Sequence, residues 1–302
     1  MRVMVALDGS DEALAGLEYV ACLALGPADR VFLVSVAETD PVSAKAFRRE
    51  HGRHLALLLE ASWAAKRGAA QDTLERGRDL LGEWRTPVSQ VIRSGHPVQV
   101  IAGLVEELQA DLLVLGPQGV GGWSAALLGS VAGSLLGMAP CPVLVARRPV
   151  SAPARVVLAV DGSRHAEAAT RVLTAFPLAA RASIDVVCVV GPASTPPRDL
   201  PAEFSELDAV VERLAGETAE RAARALAAAG IEASPTVRRG DPRREIVDAA
   251  RAARADLVVL GRRGRTGLRG RLAGSVSQQV AGSAPCSVLV VPTPPSGRRG
   301  AN

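Results

Sequence analysis

The chain has 302 residues, a length that accommodates two domains of ordinary size. Hydrophobic residues make up 48% and charged residues 22%, a balance that excludes an intrinsically disordered protein. Aromatic residues make up only 3%, so we expect cores of Ala, Val and Leu, as in parallel strands buried on both faces. The net charge of +4 is modest, and the three tryptophans are too scattered to stack bases, so we expect no nucleic-acid partner.

Strands and helices alternate along the first half of the chain. The N-terminus leads directly into an apolar strand, so we expect no secretory signal peptide. Ser10 is the expected N-cap of the next helix, and Pro97 suits the first turn of another, where its missing N–H costs nothing. Strands are predicted at 2–7, 30–36, 87–93, 111–116 and 142–147, and helices at 11–25, 43–82, 97–109 and 124–137.

The second half repeats the first. Residues 6–10 recur at 159–163, 95–97 at 240–242, 110–116 at 255–261, and 139–145 at 284–290. The first offset is 153 and the other three are 145, so the second half lacks eight residues, which we place between its second and third strands. Its strands are predicted at 155–160, 184–190, 234–238, 256–260 and 287–291, and its helices at 164–176, 205–229, 242–254 and 272–283.

This alternation predicts an α/β fold: two tandem, doubly wound parallel sheets, Rossmann-like and related by a pseudo-two-fold axis. We expect a first domain at 1–148, a second domain at 154–293 and a disordered tail at 294–302. Ligands of such sheets bind at the carboxyl ends of the strands, where the strand order changes direction. That edge is therefore the expected functional site.

Residues 112–146 carry no charged side chain and imitate a membrane span. Three prolines interrupt them, and the matching part of the second half carries five arginines between 262 and 271. A spanning helix needs about 20 largely apolar residues in one piece. We therefore expect no membrane partner and a cytoplasmic location. The four cysteines show neither Cys-x-x-Cys nor zinc spacing, which favours buried thiols in a reducing compartment.

A glycine-rich loop follows the fourth strand in each half. Both loops read Gly-x2-Gly-x9-Gly-Ser, and glycine lets a backbone approach an anion beside the free N–H groups of a helix N-terminus. A tight strand-to-helix turn is the alternative, but packing alone does not fix a nine-residue interval twice. The loop is not a P-loop, because Gly-x4-Gly-Lys-[Ser/Thr] is absent and neither Lys45 nor Lys66 is expected near a glycine loop. A dinucleotide fingerprint would follow the first strand instead.

An Asp-Gly-Ser sequence ends the first strand of each half, with Asp8 and Asp161 at equivalent positions. The strand is expected to be central, so both carboxylates should face the crevice and bind a nucleotide or a metal on its phosphates. The alternative is a capping turn, for which Asp-Gly-Ser is also typical.

The Asp, the Gly-x2-Gly-x9-Gly-Ser loop and the final apolar strand together resemble the universal stress proteins of the ATP-binding kind, over nearly all of both halves. The resemblance implies five-stranded sheets of order 3-2-1-4-5, fifth strands that pair at 143–146 and 288–291, and ATP with Mg²⁺ as ligand. Its nucleotide contacts fall on Asp8, Val36, Gly116, Gly119, Gly129, Ser130 and Val131 in the first half. In the second half they fall on Asp161, Val189, Gly261, Gly264, Gly274, Ser275 and Val276.

The two loops differ in charge. The second carries Arg262, Arg263, Arg265, Arg269 and Arg271, whereas the first is uncharged and its Pro117 removes a possible donor. We hypothesise that the second half binds triphosphate more tightly, with Arg263 among its contacts. A solvated arginine face is the alternative, since 33 of the 35 basic residues are arginine, as GC-rich coding produces.

Three classes of function remain: a nucleotide-dependent stress-response or signalling module, a slow ATPase or nucleotidyl transferase, and a nucleotide-independent dimerising adaptor. The intact loops argue against the adaptor. The lack of a candidate general base beyond Asp8 and Asp161 argues against the enzyme, and we assign no catalytic residue. His51 and His54 lack a third metal ligand, so we expect no metal beyond Mg²⁺ on ATP. A homodimer or an in-chain domain pair through the fifth strands is expected.

Overall fold

A computed structural model of the protein describes residues 1–39, 44–82, 84–119, 128–147, 152–179, 181–191, 203–264 and 274–293. The predicted alternation is present in both halves. The first half contains β1 (Arg2–Ala6), α1 (Asp11–Ala21), β2 (Arg30–Glu38), α2 (Ala44–Leu81), β3 (Val88–Gly95), α3 (Pro97–Glu107), β4 (Leu112–Leu115), α4 (Ser130–Met138) and β5 (Val143–Val145).

The second half follows the same order. It contains β6 (Arg155–Val160), α5 (Arg164–Ala175), β7 (Ser183–Val190), α6 (Glu203–Ala228), β8 (Glu232–Arg239), α7 (Pro242–Ala252), β9 (Leu257–Gly261), α8 (Ser275–Ser283) and β10 (Ser287–Val291). The eight missing residues lie where the offsets place them, since 49 residues separate β2 from β3 and 41 separate β7 from β8. Within these segments α2 has 38 residues and α6 has 26. The longer helix is broken at Gly52, whose φ of 84° lies outside the helical range.

The strands form one sheet in the order β3-β2-β1-β4-β5-β10-β9-β6-β7-β8. All pairs within a half are parallel, and β5 meets β10 antiparallel, with Leu144 opposite Leu289. The fold prediction is thus confirmed: each half has the order 3-2-1-4-5, and the fifth strands pair within one chain. Strand order changes direction between β1 and β4, and again between β6 and β9.

Apolar side chains cover both faces of the sheet. On one face Val3 and Val5 of β1 pack with Leu17 of α1 and Leu74 of α2. On the other face Met4 packs in a cluster with α3 and α4. Both clusters contain residues from both halves, so the hydrophobic core continues across the β5–β10 junction. Helices α2 and α4 therefore lie on opposite sides of the sheet.

Local capping follows the sequence. The Oγ atoms of Ser10 and Ser163 accept from the N–H groups of Ala13 and Ala166, both at 3.2 Å. The last helix of the first half begins later than the predicted residue 124, because Gly129 is its N-cap and Ser130 its first residue; residues 124–127 lie outside the described part of the chain. Within the described residues no helix combines the length and apolarity needed to cross a bilayer.

Two arginines cap helices across the junction between the halves. The Arg147 guanidinium donates to the carbonyls of Ala281 and Gly282, at 2.8 Å for Gly282, where α8 ends. Arg262 donates in the opposite direction, to the carbonyl of Ala139 at the end of α4, at 2.8 Å. Helix ends leave carbonyls without partners, and these charge-assisted bonds satisfy some of them. Burial lowers the pKa of both guanidinium groups.

Candidate functional site

The Asp-Gly-Ser turns lie at the carboxyl ends of β1 and β6, where strand order changes direction. Gly9 and Gly162 adopt φ values of 88° and 77°, a region that favours glycine. Oδ1 of Asp8 accepts from the N–H and the Oγ of Ser10, at 3.0 and 2.6 Å, and Oδ1 of Asp161 accepts from the N–H of Ser163 at 3.0 Å. One carboxylate oxygen in each half therefore holds the turn, as the capping interpretation predicts.

The other carboxylate oxygen faces the glycine loop. A Cβ placed on Gly119 would overlap Oδ2 of Asp8, and one on Gly264 would lie 2.7 Å from Oδ2 of Asp161. Real Cβ atoms do not approach another atom that closely. The second glycine of each loop is thus in close contact with the Asp, which joins the two elements singled out in the sequence.

The first glycine of each loop has a packing reason of its own. A Cβ on Gly116 would lie 2.9 Å from the backbone carbon of Glu12, and one on Gly261 would lie 2.6 Å from that of His165. Helices α1 and α5 therefore cross the ends of β4 and β9 so closely that only glycine fits. Sequence reasoning attributed these glycines to ligand contact and missed this constraint.

The third glycine closes the loop and starts the next helix. The N–H of Gly129 donates to the carbonyl of Pro117 at 2.8 Å, and that of Gly274 donates to the carbonyl of Arg262 at 2.9 Å. Both glycines are N-caps with extended backbone, and among the described residues no side chain caps α4 or α8. Ser130 with Val131, and Ser275 with Val276, supply the first-turn N–H groups, which attract anions. The interval between the second and third glycines lies largely outside the described residues.

A cleft of about 770 Å³ opens at this edge of the first half, and we call it site one. It brings together every nucleotide-contact residue predicted there: Asp8, Val36, Gly116, Gly119, Gly129, Ser130 and Val131. Five further polar side chains that sequence reasoning did not assign to the site also line it, namely Ser35, Glu38, Lys66, Thr73 and Gln118. The repeat held a signal for Thr73, since Thr218 occupies the same place on α6 and lies beside Gly162 as Thr73 lies beside Gly9.

We call the equivalent edge of the second half site two. The predicted contacts occupy matching places there: Asp161, Gly261, Gly264, Gly274, Ser275 and Val276, with Val189 near the end of β7.

One expectation about the loop of site two is corrected. The N–H of Arg262 donates to the carbonyl of Val291 at 2.7 Å, so the donor that Pro117 lacks serves strand pairing and is no ligand donor. The Arg262 side chain reaches Ala139 in the other half. Arg263 adjoins the contact between Gly264 and Asp161, whereas Arg265, Arg269 and Arg271 lie outside the described residues.

Two histidines lie near these edges. His96 is the N-cap residue of α3 without a side-chain cap bond, and Nδ1 of His165 accepts from the N–H of Thr293 at 3.2 Å. Burial, then the nearby Arg262 and Arg263, lower the pKa of His165. Within the described residues no group of three or more His, Cys, Asp or Glu side chains is arranged to hold a metal ion.

The profile of the universal stress protein family matches residues 1–147 and again 154–292. The chain belongs to the universal stress protein family. Among the relatives of this universal stress protein, Rv2623 of Mycobacterium tuberculosis is 36% identical over 239 residues, which cover 72% of this chain and 76% of the relative. A universal stress protein of Mycolicibacterium smegmatis is 31% identical over 300 residues, covering 96% of each chain.

The fold of this universal stress protein is found in solved structures. A universal stress protein from Archaeoglobus fulgidus superposes with a TM-score of 0.68, covering 97% of this chain and 98% of that one. The two sequences are 18% identical, so the match bears on the fold. It spans both halves, as expected for a tandem arrangement.

Proposed function

We propose that this universal stress protein binds ATP in both halves and acts as a nucleotide-dependent module in stress response or signalling. One observation carries the proposal. In each half, an Asp carboxylate where the strand order changes direction is in close contact with the second glycine of the loop. The loop then leads to the N-terminus of a helix that, among the described residues, has no side-chain cap. Such an edge is where α/β sheets bind ligands.

The residues present suit an adenine nucleotide. Site one has the volume of a small-molecule pocket. Val36 offers backbone groups and an apolar surface to the base, and the first-turn N–H groups at Ser130 and Val131 offer donors to phosphate. The carboxylates of Asp8 and Asp161 are oxygen ligands of the kind that Mg²⁺ accepts, so they would hold a metal that accompanies the phosphates.

The junction between the halves supports a role as one unit. The antiparallel β5–β10 pair and the continuous core join the two halves within a single chain. We therefore propose that the two domains of the chain act as one unit, so that nucleotide binding at either site affects both.

Nucleotide carried through purification tests this proposal directly. The purified chain should release adenine nucleotide on denaturation, and titration with ATP and Mg²⁺ should give two bound nucleotides per chain. Gly119→Leu and Gly264→Leu place a side chain against Asp8 and Asp161, so each should reduce the count to one. Gly103→Leu is the matched control, because no atom outside its own stretch of helix lies within 4 Å of a Cβ at that position.

The outcome against the proposal is equally concrete: a chain that is purified without nucleotide and gives no titration signal at millimolar ATP does not have this function. Release of ADP over hours, measured on the same samples, distinguishes a binding module from a slow ATPase.

A further inference from the structure

Site one and site two differ in their charged side chains. Among the described residues that line site one, the charged ones are Asp8, Glu38 and Lys66. Residues 120–127, which complete the loop, contain no charged residue, as the sequence shows. The glycine loop of site one thus carries no cation, and Lys66 of α2 is the cationic side chain that the described lining provides.

Lys66 lies on the helix face that borders the cleft. Ala69, Ala70 and Thr73 also line site one, at intervals of three, four and seven residues from Lys66, so the four share one face of α2. Thr73 is the inner end of this row, because its Oγ1 would lie 3.1 Å from a Cβ on Gly9. At 1.5 Å per residue, Lys66 lies about 10 Å farther out along the cleft.

The helix that carries Lys66 and the N-terminus of α4 line the same cleft, and the two helices pack on opposite sides of the sheet. Leu74 of α2 packs on one side of the sheet, and Leu135 of α4 packs on the other. A phosphate held at the first-turn N–H groups of α4 would therefore have the α2 face opposite it. The small side chains of Ala69 and Ala70 leave space for Lys66 to extend along the cleft.

Site two lacks this arrangement. The equivalent of Lys66 is Val211, and the equivalent of Glu38 is Gly191, according to the offsets fixed by Thr73 with Thr218 and Val36 with Val189. The loop of site two carries arginines instead, beginning with Arg262 and Arg263. The lysine is therefore a property of site one and not of the repeat.

We propose, on the basis of the nucleotide-binding function above, that site one selects ligands by phosphate charge and takes a nucleoside monophosphate, held by Lys66, in preference to a metal-free triphosphate. The N-terminus of α4 supplies about half a positive charge and Lys66 one more, against the two carboxylates of Asp8 and Glu38. These charges sum to about half a negative charge, so each phosphoryl group beyond the first adds repulsion that no further cation in the described lining reduces.

Titrations with AMP, ADP and ATP in EDTA test the proposal in the Gly264→Leu background, where site two is blocked. AMP should bind at least as tightly as metal-free ATP. Lys66→Met should weaken AMP binding about fivefold, the effect of one exposed charge. Arg67→Met is the matched control, since it removes the same charge from the adjacent residue, which bonds Ser94 and does not line the cleft; it should change AMP affinity less than twofold.

Metal-free ATP that binds site one more tightly than AMP would overturn the inference, as would equal effects of Lys66→Met and Arg67→Met. Both outcomes leave the proposed function standing, because nucleotide still binds. A parent chain that binds no adenine nucleotide at all overturns both. The gain-of-function variant Val211→Lys, in the Gly119→Leu background, should strengthen AMP binding at site two severalfold.

Discussion

The two halves of the chain share the close contacts at the loop glycines and differ in the hydrogen bonds that hold the loop. In both halves a Cβ at the first or second glycine of the loop would collide with a neighbour. The backbone N–H of the third glycine closes the loop in both halves, but a side-chain bond is added in the second half only: the hydroxyl of Ser277 donates to the carbonyl of Arg262 at 2.8 Å, whereas the first half has Ala132 in place of Ser277. The comparison teaches that the glycines define the site and that the surrounding bonds adjust it.

The charged side chains of the two sites also have one constant part and one part that differs. The constant Asp-Gly-Ser turn keeps one carboxylate in each half, while the remaining charges lie on β2 and α2 in site one and on the loop in site two. Arg262 shows that loop charge is not all directed at ligand, since its guanidinium bonds the end of α4. A repeat can thus keep its loop geometry and still diverge in charge and in domain packing.

The largest predicted effect tests whether the first glycine serves packing. Gly261→Ala should reduce the free energy of unfolding by about 2–3 kcal/mol, because its Cβ meets the backbone of α5 at 2.6 Å. Gly116→Ala should cost somewhat less, since its closest contact is 2.9 Å. Urea denaturation measures both. Gly103→Ala, an open helical position, is the control and should be neutral or stabilising. Alanines that lower nucleotide affinity but leave stability unchanged would show that the glycines serve only the ligand.

The cross-domain caps give the next effect. Arg147→Met should cost about 2 kcal/mol and Arg262→Met about 1 kcal/mol, because Arg147 donates to two buried carbonyls and Arg262 to one. Methionine keeps most of the apolar stem, so the loss reports the hydrogen bonds.

Arg224→Met provides the baseline for that comparison. Arg224 pairs with Glu220 on the exposed face of α6, where an ion pair contributes only a few tenths of a kcal/mol. If Arg147→Met were as mild as Arg224→Met, the caps would not hold the two halves together. If Arg147→Met and Arg262→Met reduced the free energy of unfolding equally, the number of carbonyls that each guanidinium contacts would not determine its contribution.

Much of this structure could be predicted from the sequence, because its strands are short apolar runs and its repeat marks the same turns twice. Asp8 and Gly119 lie at the same edge of the sheet, as the sequence predicts. Lys66 was missed, because it lies on a long, variable helix far from the loop in the chain. The direction of Arg262 depends on how the two halves pack, and no local pattern contains that information. The packing role of Gly116 likewise required the position of α1.

The smallest effect concerns pH and separates the two halves at one position. His165 in the second half occupies the place of Glu12 in the first, beside the first glycine of the loop. Its pKa is lowered by burial, then by Arg262 and Arg263, so the folded state favours neutral imidazole, whose Nδ1 accepts from Thr293. At pH values between the lowered pKa of folded His165 and the ordinary histidine pKa, the unfolded chain binds more protons than the folded chain. The contribution of His165 to folding stability is therefore complete above about pH 6.5 and is lost as pH falls.

The Tm difference between pH 7.5 and pH 5.5 should therefore shrink in His165→Gln, by no more than about 2 °C because the side chain is partly exposed. Thr293→Ser keeps the backbone N–H that bonds His165 and removes no titratable group, so it should leave the difference as it is in the parent chain. If His165→Gln also leaves it unchanged, the imidazole does not couple pH to the second half, and the substitution of Glu12 by His165 is neutral.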